Sequence, residues 1–339
     1  MALMASLRYV KDTIPGITRK QGKNGFLYYQ TNGKRITDEK SLKRIRILAI
    51  PPAYHEVWIC PYANGHIQAT GRDNRNRKQY RYHPLWQEVR QEQKFSTLIH
   101  FGRALPLIRQ HIDEELRKPV SLTKTQIICT IISLLEKSCI RIGNAIYAKE
   151  NKSYGLTTLR KKHLSLEGNK ATLHFSGKSA KPWHVQLNDK KIIRILKKCE
   201  AIPGYELFKY HDEDNKLNVI TSQDINAYLH SLTNYSFTAK DFRTWIACRE
   251  TLCRLVKPTP ENESVSPQNL KNVVTEVAAL LGHTVSICQK NYIHPEIISD
   301  WQTEALAQWF KQGKARLDRL SEDELLLFWL EKISEQEKQ

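Results

Sequence analysis

The most regular helical pattern in the chain is interrupted at Leu280-Leu281-Gly282-His283-Thr284, and nine residues after that histidine stands Tyr292. Upstream, Leu270, Val273, Val274, Val277, Leu280 and Leu281 recur at i, i+3, i+4 spacing, so the stretch from Gln268 reads as an amphipathic helix that Gly282 ends. Thr284 can then cap a second helix carrying Tyr292. On one straight helix, positions nine apart face opposite ways, so His283 and Tyr292 share a site only if the chain bends between them. Gly282 supplies the bend, because glycine accepts the left-handed φ that closes a helix. A tyrosine at a helix end suits a nucleophile, and a histidine beside it can donate a hydrogen bond to a phosphate. The bland reading of the same pair is a core or surface tyrosine with an unrelated histidine.

Charge points to the partner. Lys plus Arg number 53 against 35 Asp plus Glu, a formal +18, which favours a polyanion. The excess is uneven: residues 1–84 hold 16 bases and 5 acids. Acids gather at the far end, in Glu322, Asp323, Glu324, Glu331, Glu335 and Glu337, on a last helix whose Leu325, Leu326, Phe328, Trp329 and Ile333 should pack inward in a structural role. The cysteines at 60, 129, 139, 199, 248, 253 and 288 are scattered with no Cys-x-x-Cys pair, so they read as buried thiols in a reducing compartment and not as disulfides or a zinc site. No signal-peptide core opens the chain and no apolar run approaches the roughly 20 residues needed to span a bilayer, so a cytoplasmic protein is expected, nucleoid-associated if the source is bacterial.

Taken in order, residues 1 to about 18 read as a basic arm. Asn32-Gly33 and Asn64-Gly65 mark two hairpin turns, and Ser41–Ile50 a short helix halted by Pro51-Pro52. The first 84 residues therefore read as a small β-rich domain. It closes with Gly71-Arg-Asp-Asn-Arg-Asn-Arg-Lys-Gln-Tyr-Arg-Tyr-His83. In that stretch Arg72, Arg75, Arg77, Lys78 and Arg81 can neutralise phosphates, while Gln79, Tyr80 and Tyr82 can reach sugars or base edges. The alternative is a solvated basic loop beside two core tyrosines.

From Pro84 the pattern turns helical, and it is interrupted by a three-stranded antiparallel sheet at His163–Leu166, Ala171–Phe175 and His184–Leu187. The class is α+β, with a β-rich domain over 1–84 and a larger, mainly helical domain over 85–339. Arg141 stands among apolar neighbours, where an unpaired guanidinium is costly, so it needs an anion: a structural carboxylate, or a phosphate held bidentately. Gly177-Lys178-Ser179 lies at a hairpin tip but is no nucleotide loop, because that motif needs glycine where Thr172 stands. A lysine there is either solvated or positioned to deliver a proton to a bound backbone. Lys240 and Arg243 lie on one face at a helix start capped by Thr238 and Asp241, a favourable place for a phosphate. Residues 258–267 form a polar loop.

Arg141 in Arg-Ile-Gly-x3-Tyr, Lys178 in Gly-Lys, Arg243 in Lys-Asp-Phe-Arg-Thr, His283 in Leu-Gly-His-Thr and Tyr292 in Asn-Tyr resemble, in order, the active site of type IB DNA topoisomerases, most closely the compact poxvirus and bacterial branch. Ala49-Ile-Pro-Pro, Val57-Trp-Ile-Cys and Gly71-Arg-Asp-x3-Arg-Lys-Gln-Tyr resemble that family's DNA-clamping lobe. The resemblance spans roughly residues 15 to 300. It implies a monomeric clamp around duplex DNA, with Tyr147 among the DNA contacts. Tyr292 would attack a phosphodiester to leave a 3′-phosphotyrosyl bond, Arg141 and Arg243 would stabilise the developing charge, and His283 would donate to a non-bridging oxygen. Lys178 would protonate the leaving 5′-oxygen, assisted by Lys240. It further implies no metal, no nucleotide and no other cofactor. One departure is Asn76, where the family often has glycine. Two other readings compete: a tyrosine recombinase, which typically shows His-x-x-Arg where this chain has Lys240-x-x-Arg243, and a non-enzymatic basic DNA-binding protein, which requires all five matches to be accidental.

Overall fold

The computed structural model describes residues 6–257 and 266–336. They fall into two compact units, Met1–Ser96 and Thr97–Gln339. Of the polar loop expected at 258–267, all but Ser266 and Pro267 lies outside the described residues; those two serve as N-cap and first residue of a helix.

In the N-terminal unit, β1 (Ile17–Gly22), β2 (Gly25–Tyr29), β3 (His55–Ile59), β4 (Ile67–Arg72) and β5 (Lys78–Tyr82) form one antiparallel sheet in the order β2-β1-β3-β4-β5. Helix α1 (Glu39–Ile47) is capped by Asp38, whose carboxylate accepts from Ser41 N, and it drives Ile45 into a core shared with Ile17, Ile36, Ile59 and Ala69. Helix α2 (Pro84–Ser96) follows the sheet. The first hairpin differs from the sequence expectation. Its strands meet between Gly22 and Gly25, whereas Asn32-Gly33 turns the chain only into an isolated Tyr29–Arg35 bridge. Strand β1 has a single apolar residue, Ile17, so it carries no alternation to read. Its conformation comes from pairing with β2 on one side and β3 on the other.

The larger unit opens with α3 (Leu98–Arg117), α4 (Lys124–Ser138) and α5 (Ala145–Asn151). The antiparallel sheet β6 (Leu164–Glu167), β7 (Lys170–Ser176), β8 (Pro182–Leu187) follows in that order, then α6 (Lys190–Ala201) and a two-stranded ribbon, β9 (Lys209–His211) with β10 (Leu217–Val219). It continues through α7 (Ser222–Thr233), α8 (Ala239–Val256), α9 (Pro267–Leu281), α10 (Val285–Tyr292), α11 (Pro295–Gln302), α12 (Ala305–Leu317) and α13 (Glu322–Gln336). The helical core is built on α4 and α8, which are buried along most of their lengths. An α+β class with a β-rich N-terminal region therefore holds.

Helix α13 is fixed by more than its buried Leu325, Leu326, Trp329 and Leu330. Asp323 accepts from Trp245 Nε1 at 2.6 Å, pairs with Arg109 at 2.7 Å and meets Arg249 at 3.4 Å, which ties α13 to α3 and α8. Burial opposes ionisation, but these donors win and hold the carboxyl below its usual range. A depressed carboxylate stabilises the fold above its unfolded pKa and loses that contribution as pH falls through its folded value. Asp323→Ala leaves the Trp245 N–H and two guanidiniums short of an acceptor. It is expected to cost about 2 kcal/mol in urea unfolding at pH 7, with a smaller difference from the parent near pH 3.

Candidate active site

Four of the residues singled out in the sequence meet at the C-terminal end of α9. The helix closes in a Schellman turn, with Gly282 N donating to Ala279 O at 3.0 Å, His283 N donating to Ala278 O at 2.8 Å, and Gly282 at φ +64. Thr284 then caps α10 by accepting from Ile287 N, and α10 ends on Tyr292. The reversal brings the His283 and Tyr292 rings to 4.4 Å between centroids. Against the α8 side, the Tyr292 carbonyl accepts from Cys248 Sγ at 3.3 Å.

Two guanidiniums close on this turn. Arg243, 3% exposed, donates to Leu281 O at 2.6 Å and to His283 Nε2 at 2.8 Å. Arg141 donates to Gly282 O at 3.1 Å and lies 3.2 Å from His283 Nδ1. Arg141 is held where α4 has ended, on a segment clamped to the following turn by Leu156 N to Arg141 O and Thr157 N to Ile142 O. Both arginines thus cap the carbonyls that α9 cannot satisfy internally, at the negative end of its dipole. Among the described residues neither has a carboxylate partner, and Arg141 Nη1 with Arg243 Nε and Nη1 are buried without an acceptor. Burial, then the neighbouring Arg243 charge, pulls Arg141 down to about 10; burial also lowers Arg243. Both stay charged near neutrality. Burial first, then Arg141, Arg243, Lys178 and Lys181, hold His283 at about 3. The ring is therefore neutral, and acceptance at Nε2 leaves its proton on Nδ1.

Lys178, Lys240 and Tyr147 line one cavity with Arg141, Arg243 and Tyr292, about 330 Å³ in volume. Lys240 reaches it from the first turn of α8, behind the expected Thr238–Asp241 capping box. The cavity is also lined by Asn144, Ser153 and Tyr154, which the sequence reading did not single out. Asn144 caps α5 by accepting from Ile146 N and Tyr147 N; its position directly after Arg-Ile-Gly was the available signal.

The remaining candidates belong to the N-terminal unit. The loop into β5 is closed around Asp73, which accepts from Arg75 N, Arg77 N and Gln79 Nε2 and pairs with Arg77 at 2.7 Å. Arg77 is the main cause that holds Asp73 down at about 2. Asn76 adopts φ +58, a left-handed conformation that asparagine tolerates and glycine would also satisfy. Arg72 pairs with Glu56 and Lys78 with Asp12, Arg81 donates to Ala49 O, and Tyr80 stacks on Tyr82 at 5.9 Å.

The chain also matches known proteins along most of its length. A family model described as "Eukaryotic DNA topoisomerase I, catalytic core" matches residues 83–319, and another, "Bacterial DNA topoisomerase IB, N-terminal domain", matches residues 25–73. The DNA topoisomerase 1B of Acanthamoeba polyphaga mimivirus is 31% identical over 291 residues, covering 84% of this chain and 86% of that protein. The chain belongs to the type IB DNA topoisomerases. Further relatives of this topoisomerase are the DNA topoisomerase 1 of rabbit fibroma virus (strain Kasza), 25% identical over 235 residues (66% of this chain, 68% of that one), and the DNA topoisomerase 1B of vaccinia virus (strain Copenhagen), 24% over 237 residues (67% and 70%). Its substrate is DNA. No helix among the described residues is long and apolar enough to cross a membrane.

A histidine whose folded pKa is depressed stays neutral in the native state while the unfolded chain takes up a proton, so stability is full above about pH 6.5 and declines as pH falls toward the folded value. His283→Gln removes that uptake. Its urea midpoint is expected to fall less between pH 7 and pH 5 than the parent's, with the remaining decline owed in part to His163, held at about 4 mainly by burial.

Proposed function

We propose that this topoisomerase relaxes supercoiled duplex DNA as a monomeric clamp, by cleaving one strand through a 3′-phosphotyrosyl intermediate on Tyr292, letting the duplex swivel and resealing it. The observation that carries this reading is the pair of buried guanidiniums with unfilled donors and no carboxylate, gathered with Tyr292 and Lys178 around one cavity. Such an arrangement gains most from an anion, and a backbone phosphate supplies it.

In the cleavage step the Tyr292 oxygen bonds to phosphorus, its proton is lost to solvent, and the bond from phosphorus to the 5′-oxygen breaks. Lys178, assisted by Lys240, gives the departing oxygen its proton. Arg141 and Arg243 compensate charge on the non-bridging oxygens, and the His283 N–H donates to one of them. A phosphate oxygen between Arg141 and His283 Nδ1 would accept from both groups, which otherwise face each other as two donors. Resealing runs the same bonds backward, with the 5′-hydroxyl attacking the phosphotyrosine. The guanidiniums supply the positive charge for which other phosphoryl-transfer sites use a metal, and the phosphotyrosine keeps the energy of the bond it replaced, so neither divalent ion nor nucleotide is required. The buried, unbridged cysteines support a cytoplasmic setting.

Duplex contacts are assigned to Tyr147 and, in the N-terminal unit, to Arg72, Arg75, Arg77, Lys78, Gln79, Tyr80, Arg81 and Tyr82. Arg72, Arg77 and Lys78 already hold acids; the Arg72–Glu56 pair is exposed, and such pairs are worth little and exchange readily for phosphates.

Purified protein is expected to relax a supercoiled plasmid in EDTA without nucleotide, and Tyr292→Phe to abolish relaxation while duplex binding is kept; full relaxation by the Phe variant would remove Tyr292 as the nucleophile. Duplex affinity should fall steeply with salt. Lys78→Ala should weaken all duplexes alike and reduce the slope of log K against log salt by about one, and an unchanged slope would take Lys78 off the phosphate contacts.

A further inference from the structure

We propose that Trp183 is a positioning residue that seats the hairpin tip carrying Lys178 on the helix-ending turn carrying His283, so that general acid and phosphate-binding turn act as one piece. The inference rests on the roles assigned above to Lys178 and His283.

The geometry is specific to two glycines, each standing directly before one of those residues. A Cβ on Gly177 would lie 2.6 Å from Trp183 Nε1, and one on Gly282 would lie 2.7 Å from Trp183 Cζ2. The indole therefore packs against both backbones at a distance that no other residue type permits at either position. Gly177 has an ordinary φ of −90, so nothing but this contact demands glycine there; Gly282 needs it for its φ as well. The indole is itself held in place. Trp183 lies opposite Phe175 across β7 and β8, with the rings stacked 3° from parallel at 6.3 Å, and Phe175 is buried in the sheet. The other side of the tip is tied down by Tyr154 N donating to Ser176 O at 2.8 Å.

The tip has need of such a fastening. Residues 178–181 are exposed, Ser179 and Ala180 have positive φ, and Lys178 is a long side chain with several rotatable bonds. Lys178 nonetheless lines the same cavity as Arg141 and Tyr292. A general acid must come within hydrogen-bond reach of the leaving oxygen, and a tip loosened by an ångström loses much of that advantage. Trp183 touches no reacting atom in this scheme; it acts through Lys178.

The test compares single-turnover cleavage of two duplexes, one normal and one with sulfur in place of the 5′-bridging oxygen at the cleaved phosphate. A thiolate leaves without a proton, so a defect in proton delivery is relieved by sulfur and a general folding defect is not. Trp183→Ala is expected to slow cleavage of the normal duplex by about tenfold or more and to approach the parent rate on the sulfur duplex, with Trp183→Phe intermediate because it keeps the stack on Phe175. Parent-like cleavage of the normal duplex by Trp183→Ala, or equal losses on both duplexes, would overturn the inference. Lys178→Ala is the reference: if sulfur does not restore it, the general-acid role itself falls and the inference with it. Failure of the parent protein to form any adduct on Tyr292 would instead sink the proposed function.

Discussion

The arrangement of the site depends on the C-terminal carbonyls of one helix. Arg141 and Arg243 are like charges brought within reach of the same imidazole, and burial pulls both pKa values down. What holds them without a carboxylate is the end of α9: Leu281 O and Gly282 O each accept from one guanidinium, at the negative pole of the helix dipole. A carbonyl satisfies a donor without neutralising a charge. The pair therefore remains cationic and under-satisfied, a state that costs stability and favours whatever anion enters. A buried carboxylate partner would have been better for folding and worse for binding a phosphate.

The same turn that presents the carbonyls also reverses the chain so that His283 meets Tyr292. The Schellman closure, the left-handed Gly282 and the Thr284 cap are local devices. Together they place a neutral imidazole, two guanidiniums and a phenol in direct contact. Around this centre the protein adds groups from separate elements: Lys240 from the start of α8, Tyr147 from α5 and Lys178 from the β7–β8 hairpin. Helix α8 and the clamped segment after α4 supply the charged anchors, while the proton donor comes from an exposed tip. That division puts the burden of precision on whatever fastens the tip, and the indole of Trp183 lies against both parts.

The N-terminal unit works on another principle. Its cations sit at a sheet edge and in a loop folded about Asp73, where Arg72, Arg77 and Lys78 each pair with an acid. That pairing keeps the loop in shape around acids, unlike the buried arginines, which among the described residues have no carboxylate partner.

Much of this was legible in the residue order. The i, i+3, i+4 pattern before Gly282, the capping residues Thr238 and Thr284 and the three-stranded sheet are local signals, because helix ends and hairpins are decided by neighbours in the chain. The five motif residues could be named because each carries its chemistry in its type. Strand β1 could not be read, since Ile-Thr-Arg-Lys-Gln-Gly has no alternation and becomes a strand only through partners at positions 25–29 and 58–59. Nor could the sequence show that Arg141 and Arg243 lean on the α9 carbonyls without an acid, or that one indole fills the space of two missing Cβ atoms 105 positions apart, at Gly177 and Gly282. By itself the sequence determined which groups exist, where helices stop and which elements alternate, all set within a few residues. Only the tertiary structure decided which charges go unpaired and which backbones touch, because those depend on distances between elements that local propensity does not encode.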